Sequence, residues 1–406
     1  MHPTLSNSPH RKALIAGGGI AGAVCAIALH KAGIEAEIHE AFDRGADGVG
    51  AYLTLGVNGI DALRVVGIDA LSLGGFDTPR MALHLSDGSL LAEFDNGPRR
   101  TDGIVARTIK RSDLYQALRD EALRRGIAVH YGRRLADARP EPGGVVARFT
   151  DGSQARGDLL IGADGLHSRL RGIIDPKAPQ PSYVGLLNVG GYARGVPVDV
   201  QPGTMHMYFG KRCFFGMILD PQGEVWWFAN PAWPKEPRRG ELAAMGDEAW
   251  RERLLAMVAD DDTPAARIIR GSQQMFSPWA THDMPHVPVW HRDRMVLIGD
   301  AAHATSPSSG QGASMAIEDA VTLARCLRDE PSIDSAFVRY DGLRRDRVER
   351  VVAQGRKNGS GKAPGPLGRW MRDGILRLVF AHNDGSVPKT MRWIYDHHIS
   401  WERSAV

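Results

Sequence analysis

Three glycines near the start of the chain have the spacing of a phosphate-binding turn. Gly17, Gly19 and Gly22 lie within residues 13–29, "ALIAGGGIAGAVCAIAL", and Glu40 follows them. In such a turn the first glycine permits a tight bend, the second lets the backbone approach a pyrophosphate, and the third allows a helix to pack closely on a strand. An acidic residue farther along can accept hydrogen bonds from ribose hydroxyls. The set predicts a dinucleotide site, and a turn with a purely structural role is the alternative.

The elements that must position these glycines follow from the local composition. "KALIAG" is typical of a short buried strand, "IAGAVCAIALHKAG" of a helix of small residues, and "IEAEIHE" of a second strand. The start of that helix would attract the negative charge of a phosphate. A membrane-spanning helix needs about 20 mainly apolar residues, and this glycine-rich run is shorter. Because Glu40 disfavours a 2'-phosphate, the ligand expected here is FAD or NAD(H).

Two later stretches repeat the pattern of a strand followed by a turn. In "GDLLIGADGLHSRLR", residues 157–171, the apolar strand leads to Asp164, although Asp-Gly is also ordinary turn chemistry. In "DRMVLIGDAAHATSPSSGQGASMAIEDAVTLARCL", residues 293–327, a strand leads to Asp300, and a glycine-bearing loop then leads to a helix that begins near Gly312. Open parallel sheets bind ligands at the carboxyl ends of their strands, so both acids are candidates for dinucleotide contacts.

Length and composition narrow the class of protein. The 406 residues predict about two domains, and the net charge of +3 gives no argument for nucleic-acid binding. Cys25, Cys213 and Cys326 are far apart and odd in number, so we expect no disulfide framework, no metal site and a cytoplasmic location. The first ten residues lack the apolar core of a signal peptide, and we expect no integral membrane segment. A monomer or a homodimer is expected.

Together, the three stretches resemble the signature motifs of single-component FAD-dependent monooxygenases, the aromatic hydroxylases with the para-hydroxybenzoate hydroxylase fold. Their order and spacing match over about residues 11–330, and "GDAAHATSPSSGQGASMAIEDA" is the most specific part. The resemblance implies an α/β fold: a Rossmann-type, three-layer FAD-binding domain with a mostly parallel sheet, an antiparallel-sheet substrate domain, and C-terminal helices. The corresponding ranges are 11–75, 100–175 and 285–330 for the FAD-binding domain, 76–99 and 176–284 for the substrate domain, and 331–406 for the helical region.

The resemblance also implies roles for individual residues. Asp164 would lie near both FAD and the path of NAD(P)H, and Asp300 would bind the ribityl hydroxyls. Arg111, in "VARTIKRSDLYQAL", would contact the dinucleotide, with Arg107 as the competing candidate. Ala41 departs from the family, which often has a basic residue after the acid; Arg44 is a possible substitute. The full set of cofactor-binding candidates is Gly17, Gly19, Ala21, Gly22, Glu40, Arg107, Arg111, Asp164, Asp300, Pro307, Gly310, Gly312 and Ala313.

The chemistry of the family implies the cofactor FAD, the reductant NADPH or NADH, and O2. NAD(P)H reduces the flavin, O2 adds at C4a, and the hydroperoxyflavin passes one oxygen to an electron-rich substrate. The helix near Gly312 would direct its positive end at the electron-rich edge of the reduced ring. No residue is assigned to catalysis: His303 is expected to be structural, and Glu318 and Asp319 to be solvated or capping.

Residues 176–290 differ from the rest, because aromatic and apolar residues alternate in three strand-like runs separated by turns. We predict an antiparallel sheet, extended by a hairpin over residues 81–95. Little positive charge falls on these strands, so the pocket is predicted to be apolar and large, which favours a bulky aromatic or polyketide-like substrate. Alternate strand residues share a face, and one set is predicted to cover the flavin, with ordinary core as the alternative. That set is Met207, Phe215, Met217 and Trp227.

Three helical patterns occur in the tail, residues 331–406, and three rival functions stay open. His397 and His398, in "DHHIS", are a weak metal candidate, because adjacent side chains on a helix point apart. A flavin-dependent halogenase would need a Trp-x-Trp-x-Ile-Pro motif that "VWWFANP" does not supply. A membrane-linked epoxidase would need a longer apolar anchor than "ILRLVFA". A catalytically silent FAD-binding redox protein is compatible with every motif.

Overall fold

The computed structural model describes residues 11–43, 51–360, 362, 366–381 and 384–402. These residues form nineteen strands, which we number along the chain. The strands are β1 (Lys12–Ala16), β2 (Glu35–His39), β3 (Tyr52–Leu55), β4 (Phe76–Asp77), β5 (Arg80–Leu85), β6 (Leu90–Asp95), β7 (Arg107–Lys110), β8 (Ala128–His130), β9 (Leu135–Glu141), β10 (Gly144–Phe149), β11 (Gln154–Gly157), β12 (Leu159–Gly162), β13 (Ser182–Arg194), β14 (Thr204–Phe209), β15 (Cys213–Leu219), β16 (Glu224–Pro231), β17 (Gln274–Asp283), β18 (His291–Arg292) and β19 (Met295–Leu297).

Helices cover much of the remaining chain. The same described ranges contain twelve α-helices, and short 3-10 helices occur at Ala70–Leu73, Pro307–Ser309 and Lys389–Met391. The α-helices are α1 (Ile20–Lys31), α2 (Val57–Val65), α3 (Arg111–Arg124), α4 (Arg169–Ile174), α5 (Glu241–Ala244), α6 (Asp247–Val258), α7 (Ala265–Arg270), α8 (Asp300–His303), α9 (Gly312–Asp329), α10 (Ile333–Ser360), α11 (Pro366–Phe380) and α12 (Arg392–Tyr395).

A mostly parallel sheet of six strands carries the three sequence stretches. Its order is β18-β19-β12-β1-β2-β8, and every pair is parallel except β18–β19. The central strand β1 is buried almost throughout, which explains its uninterrupted apolar sequence. The following helix α1 is also buried on nearly all sides, between this sheet and its neighbours α3 and α9. The predicted α/β fold is confirmed.

A second, seven-stranded sheet has the order β17-β13-β16-β15-β14-β5-β6. Its neighbours are antiparallel except for β5 and β14, which run parallel. The predicted hairpin is therefore present as β5 and β6, and it extends the sheet as expected. Smaller three-stranded sheets, β3-β7-β4 and β11-β10-β9, complete the β structure of the described residues.

The tail contains two of the three predicted helices at close to their expected length. Helices α10 and α11 match the first two patterns, whereas α12 covers only four residues of the third. His397 and His398 follow α12 and are not helical, so that part of the prediction is wrong. Their rings do diverge: His397 Nε2 lies 3.8 Å from a carboxylate oxygen of Glu318, and His398 Nδ1 lies 2.6 Å from one of Asp61.

Two absences hold for the part of the chain that the structure describes. None of its helices combines the length and apolar character that crossing a bilayer requires. No group of three or more His, Cys, Asp or Glu side chains in those ranges is arranged to hold a metal ion.

Two acidic side chains of α9 are fully buried, which contradicts the expectation that they are solvated or capping. Asp319 shares a short hydrogen bond with His303 and accepts one from the Arg344 guanidinium at 2.7 Å. Glu318 accepts hydrogen bonds from Arg344 at 2.6 Å and from Arg347 at 2.8 and 2.9 Å. The expectation was wrong because the arginines that neutralise these acids lie on α10, which the sequence pattern of α9 does not reveal.

Burial and these partners shift the pKa values of the two carboxylates in opposite directions. Burial alone would raise the pKa of Asp319, but His303 and Arg344 lower it to about 2. For Glu318, burial is likewise opposed by Arg344 and Arg347, so its pKa is also lowered. Both groups are therefore charged at neutral pH, and their ionic partners are required to keep them so inside the core.

We predict that Arg344→Leu strongly destabilises the protein. The substitution removes one of the two side-chain partners that keep Asp319 charged and one partner of Glu318, and breaking a buried ion pair costs about 3–5 kcal/mol of unfolding free energy. Arg339→Leu, on the same helix, is the control, because Arg339 pairs with Glu330 at the surface and such pairs contribute about 0–1 kcal/mol. Urea unfolding of both variants, with and without FAD, measures the difference. Equal losses in the two variants would contradict the proposed importance of the network.

Candidate active site

The glycine turn lies between β1 and α1, at the carboxyl edge of the parallel sheet. Gly17 has a positive φ of 102°, and a Cβ there would overlap the carbonyl group of Ala163, in the segment after β12. A Cβ on Gly22 would overlap the carbonyl oxygen of Gly17. A Cβ on Gly19, in contrast, would meet no atom within 4 Å. Close packing within the protein thus explains Gly17 and Gly22. The open space beside Gly19 would instead let a ligand approach the backbone there.

Glu40 follows β2 and closes one side of this turn. Its Oε2 atom accepts a hydrogen bond from the Gly18 amide at 2.7 Å, and its Oε1 atom accepts one from the Phe42 amide at 3.0 Å. A carboxylate has further lone pairs, so these bonds orient the group without using all its capacity to accept ribose hydroxyls. The predicted ribose contact remains a prediction. Arg44 lies outside the described residues.

Asp164 lies beside the turn but is engaged by its own segment. Its carboxylate accepts hydrogen bonds from the Ser168 hydroxyl at 2.5 Å and from the amides of Arg169 and Leu170 at 2.8 and 3.1 Å. Burial raises the pKa of Asp164, although these hydrogen bonds oppose the shift. The side chain therefore orders the start of α4, and its Cα borders Gly17. Contact with FAD or NAD(P)H remains a prediction.

Asp300 and Arg111 come together from separate parts of the chain. Asp300 is exposed at the first residue of α8, and Arg111 is at the first residue of α3, where its guanidinium donates to the Tyr115 hydroxyl at 2.8 Å. Burial works against the charged form of Arg111, but the Tyr115 hydroxyl and the Asp300 carboxylate raise its pKa. The two side chains are therefore near enough for their charges to interact.

Arg107, the competing candidate, has other partners. Its guanidinium donates to Asp77 at 2.6 Å and to the carbonyl oxygens of Gly74 and Gly75 at 2.7 and 2.9 Å. These bonds hold the strand β7 against β4. Of the two arginines, Arg111 is therefore the one placed toward Asp300.

The loop before α9 contains the last group of predicted residues. Pro307 begins a 3-10 turn, Gly310 is left-handed with a φ of 63°, and α9 starts at Gly312 with Ala313 next. Gln311 is buried and accepts a hydrogen bond from Asn58 of α2 at 3.0 Å. The first turn of α9 has no acidic residue, so its positive end is not neutralised there. Such an end suits a ligand with negative charge.

A wall of aromatic side chains covers one face of the seven-stranded sheet. The Tyr52 hydroxyl donates to the Trp226 carbonyl oxygen at 3.3 Å, and the rings of Phe76 and Trp226 are 5.1 Å apart. We call this group the aromatic wall; its members are Tyr52, Phe76, Tyr192, Trp226, Phe228 and Phe276, with Met207 packed against them. Strand β3 links the wall to the first turn of α9, because Tyr52 begins the strand and the Gly56 amide after it donates to the Ser314 hydroxyl at 3.3 Å.

The prediction of one flavin-facing set in this sheet is wrong for three of its four members. Met207 pairs with Gly216, so it faces opposite to Phe215, which pairs with Tyr208. Phe215, Met217 and Trp227 are fully buried in a separate cluster under α6 and α7. Alternation in the sequence divides the strand residues between two faces. Which of the two faces is covered by helices depends on where α6 and α7 pack, and the strand sequence does not reveal this. The same alternation could have suggested Trp226 and Phe228, the neighbours of Trp227, as the alternative set.

A family described as an FAD binding domain matches residues 10–354. The chain belongs to that family. This flavoprotein is 31% identical to an aurachin C monooxygenase/isomerase of Stigmatella aurantiaca over 388 residues, which cover 90% of this chain and 94% of the relative. It is 32% identical to an FAD-dependent urate hydroxylase of Klebsiella oxytoca, with 85% and 89% covered.

Solved structures agree with this assignment. The crystal structure of Klebsiella pneumoniae HpxO complexed with FAD and uric acid has a TM-score of 0.80 and 27% sequence identity, and the match covers 91% of this chain and 93% of that one. A salicylate hydroxylase substrate complex has a TM-score of 0.76 at 23% identity, with 95% of each chain covered, and shows the same fold. The protein is thus an FAD-dependent monooxygenase of the single-component aromatic hydroxylase group, as its motifs predicted.

The residues present fit FAD. Gly19 leaves the backbone of the turn open, Glu40 is oriented beside it, and Arg111 and Asp300 offer a cation and an acceptor for hydroxyls near each other. The turn between β1 and α1 would hold the pyrophosphate, and the loop that begins at Pro307 would lie along the ring. These residue assignments remain predictions.

Two glycine substitutions should separate folding from cofactor binding. Gly19→Ala adds a methyl group that meets no protein atom but fills the approach to the turn, so we expect an unchanged melting temperature of the apoprotein and at least about tenfold weaker FAD binding, or about 1.4 kcal/mol. Gly22→Ala forces overlap with Gly17, so we expect it to cost the apoprotein about 1–3 kcal/mol. Thermal unfolding and quenching of FAD fluorescence measure the two effects. Full FAD affinity in Gly19→Ala would show that the pyrophosphate binds elsewhere.

Proposed function

We propose that this monooxygenase uses NAD(P)H and O2 to hydroxylate a bulky aromatic small molecule, with a polyketide-like compound included in that class. The observation that carries the proposal is the aromatic wall, which is linked through β3 to the first turn of α9. Aromatic side chains bind flat, apolar ligands well, and offset or edge-to-face contacts add about 0.5–1.5 kcal/mol each. Four of the wall's ring pairs have centroids 5.1–5.6 Å apart, which leaves the wall rigid.

The names of similar proteins support the general chemistry and leave the substrate open. One relative is named for aurachin C and others for urate, and two Streptomyces platensis relatives are 3-amino-4-hydroxybenzoate 2-monooxygenases, each 30% identical to this chain. All of these substrates differ from one another. The wall of the present chain is mainly hydrocarbon, and its charged neighbour Lys110 is paired with Glu224 at 3.7 Å, which favours an apolar substrate over a small carboxylate.

Bound FAD would supply the transfer of electrons from NAD(P)H and the activation of O2. The chain itself has three tasks. The positive end of α9 would stabilise negative charge near the ring, since no acid in the first helical turn opposes it. The aromatic wall would exclude water and hold the substrate ring in place. Asp300 and Arg111 would hold the middle of the cofactor in place, which sets the distance between the flavin ring and the substrate ring.

The decisive experiment is an oxidation assay on the FAD-loaded protein. We expect one of NADH or NADPH to be consumed faster when a suitable bulky aromatic compound is added, and the product to gain one oxygen atom derived from O2 labelled with a heavy isotope. The protein without FAD and the assay without O2 are the controls. A holoprotein whose flavin is never reduced by either nucleotide, with or without aromatic compounds, would instead be a catalytically silent FAD-binding protein.

The role of the wall can be tested separately. Trp226→Leu removes ring contacts, so we expect kcat/KM for an accepted bulky aromatic substrate to fall about three- to tenfold, which corresponds to about 0.7–1.4 kcal/mol. Trp233→Leu is the matched control, because Trp233 packs against Trp250 in a different cluster. Its kcat/KM should stay close to that of the wild type. Equal losses of kcat/KM in both variants would show that the aromatic wall does not form part of the substrate site.

A further inference from the structure

A lysine that the mechanism does not yet use reaches the substrate side of the molecule from the tail. Helix α10 ends at Ser360, and its last turn contacts the loop before α9. The Asn358 side chain donates to the Ser308 carbonyl oxygen at 3.1 Å, and a Cβ on Gly359 would lie 3.5 Å from Ser308 Oγ. Lys362 follows directly, and only 8% of it is exposed. The chain thus passes from the loop expected beside the flavin ring to the seven-stranded sheet.

The side chain of Lys362 ends at the edge of the aromatic wall. Its Nζ atom donates a hydrogen bond to Asn230 Oδ1 at 2.6 Å and lies 4.3 Å from the centre of the Phe214 ring. The Phe228 ring, a member of the wall, is 5.7 Å away. Phe214, Phe228 and Asn230 lie on the wall face of their strands, opposite to the cluster under α6 and α7. Lys362 therefore places a polar head in an otherwise aromatic surface.

A chain of hydrogen bonds holds the partner of this lysine in position. The Asn230 amide donates to Asn188 Oδ1 at 2.7 Å, and the Asn188 amide donates to Thr281 Oγ1 at 2.5 Å. All three residues are buried. The Asn230 oxygen that accepts the hydrogen bond from Lys362 is therefore held in place, and this fixes the position of the Lys362 amino group.

Lys362 has no carboxylate to neutralise it among the described residues, in contrast to Lys110. Its neighbours in sequence, residues 361 and 363–365, read "G" and "APG" and contain no ionisable side chain. An ammonium group has three N–H donors, and Asn230 takes one of them. Burial lowers the pKa of Lys362 to about 7. An unpaired buried lysine costs stability, which makes a functional role the better explanation.

We propose that Lys362 binds an acidic oxygen of the substrate, a phenol or an enol on the aromatic ring, and accepts its proton. This inference rests on the proposed function and specifies its substrate class. In the step, the O–H bond of the substrate breaks, an N–H bond forms on the neutral lysine, and the resulting ammonium pairs with the phenolate or enolate oxygen. The negative charge makes the ring more electron-rich, which favours transfer of an electrophilic oxygen atom to it.

The geometry also explains how such a substrate would be oriented. The oxygen would occupy the unused donors of Lys362, while the ring would lie along Phe228 and the rest of the wall. Because Lys362 is adjacent to the loop before α9, the acidic oxygen would be near the flavin edge of the pocket. An aromatic compound without an acidic group would lack this contact, so its orientation in the site would be less well defined.

The test uses binding of simple phenols to the FAD-loaded protein, which requires no turnover. The probes are 4-nitrophenol and 2-naphthol, whose absorbance reports ionisation, with 4-nitroanisole as a probe of the same shape that has no acidic proton. For wild type we expect the pKa of the bound phenol to fall by at least about one unit, equivalent to tenfold tighter binding of the phenolate. In Lys362→Met this shift should vanish, while 4-nitroanisole should bind as before.

Two further variants define what the lysine contributes. Lys357→Met changes an exposed lysine near the end of the same helix, so it should retain the wild-type shift. Lys362→Arg keeps a cation that cannot lose its proton near neutral pH, so phenolate should still bind but without uptake of a proton by the protein. Methionine preserves the aliphatic volume of lysine, and circular dichroism together with retention of FAD checks that each variant folds. If Lys362→Met does not fold, Lys362→Gln replaces it in the same measurements.

The outcomes separate this inference from the proposed function. If wild type shows no lowering of the phenol pKa, or binds neither phenol, or if Lys362→Met behaves like wild type, Lys362 does not bind an acidic oxygen and the inference is overturned. If the shift depends on Lys362 but no nucleotide reduces the flavin, the proposed NAD(P)H-dependent hydroxylation fails while the oxygen-binding role stands. If both succeed, hydroxylation of accepted phenols should fall at least tenfold in kcat/KM in Lys362→Met.

Discussion

The pairing of two buried carboxylates on α9 is the constraint on which the rest of the site depends. Asp319 accepts a hydrogen bond from the Gly299 amide at 2.8 Å, shares one with His303, and is neutralised by Arg344. Glu318 accepts one from Asn58 at 2.7 Å in addition to its arginine partners. These bonds connect α9 to the segment that carries Asp300, to α2 and to α10. Because unpaired charges are costly in the core, the four elements can pack together only in the arrangement that satisfies both acids.

The position of the cofactor site follows from this arrangement. The Gly299 amide is held by Asp319, and Asp300 is the next residue, so the exposed carboxylate projects from a fixed backbone. A Cβ on Gly299 would approach the Cβ of Ala21 at 3.1 Å, which brings the strand end of the third stretch against the first turn of α1. The glycine turn and the Asp300 segment are therefore adjacent although they are far apart in sequence. Close packing between small residues, rather than polar contact, sets their separation.

The substrate side is constructed by a different principle. A sheet has two faces, and the helices α6 and α7 cover much of one of them, which leaves the aromatic wall on the other. A seven-stranded sheet is stiff, so rings attached to it keep their spacing, and a polar group at the edge of the aromatic wall has a defined direction. The tail contributes Lys362 to that edge after α10 has passed both α9 and the loop before it. Helix α10 thus neutralises the buried acids of the cofactor half, and the segment directly after it supplies a polar group to the substrate half.

Local patterns in the sequence determined the elements, the glycine turn and the family. Each of these depends on neighbouring residues: a glycine where a Cβ would overlap the backbone, an apolar run where a strand is buried on both sides, and alternation where it is buried on one. The tertiary structure alone decided three further points. It placed Arg111 rather than Arg107 toward Asp300, it covered Phe215, Met217 and Trp227 with helices, and it paired the acids of α9 with arginines of α10. Each of these depends on a partner distant in the chain, and a residue's own neighbours in sequence carry no information about which distant group packing will bring to it.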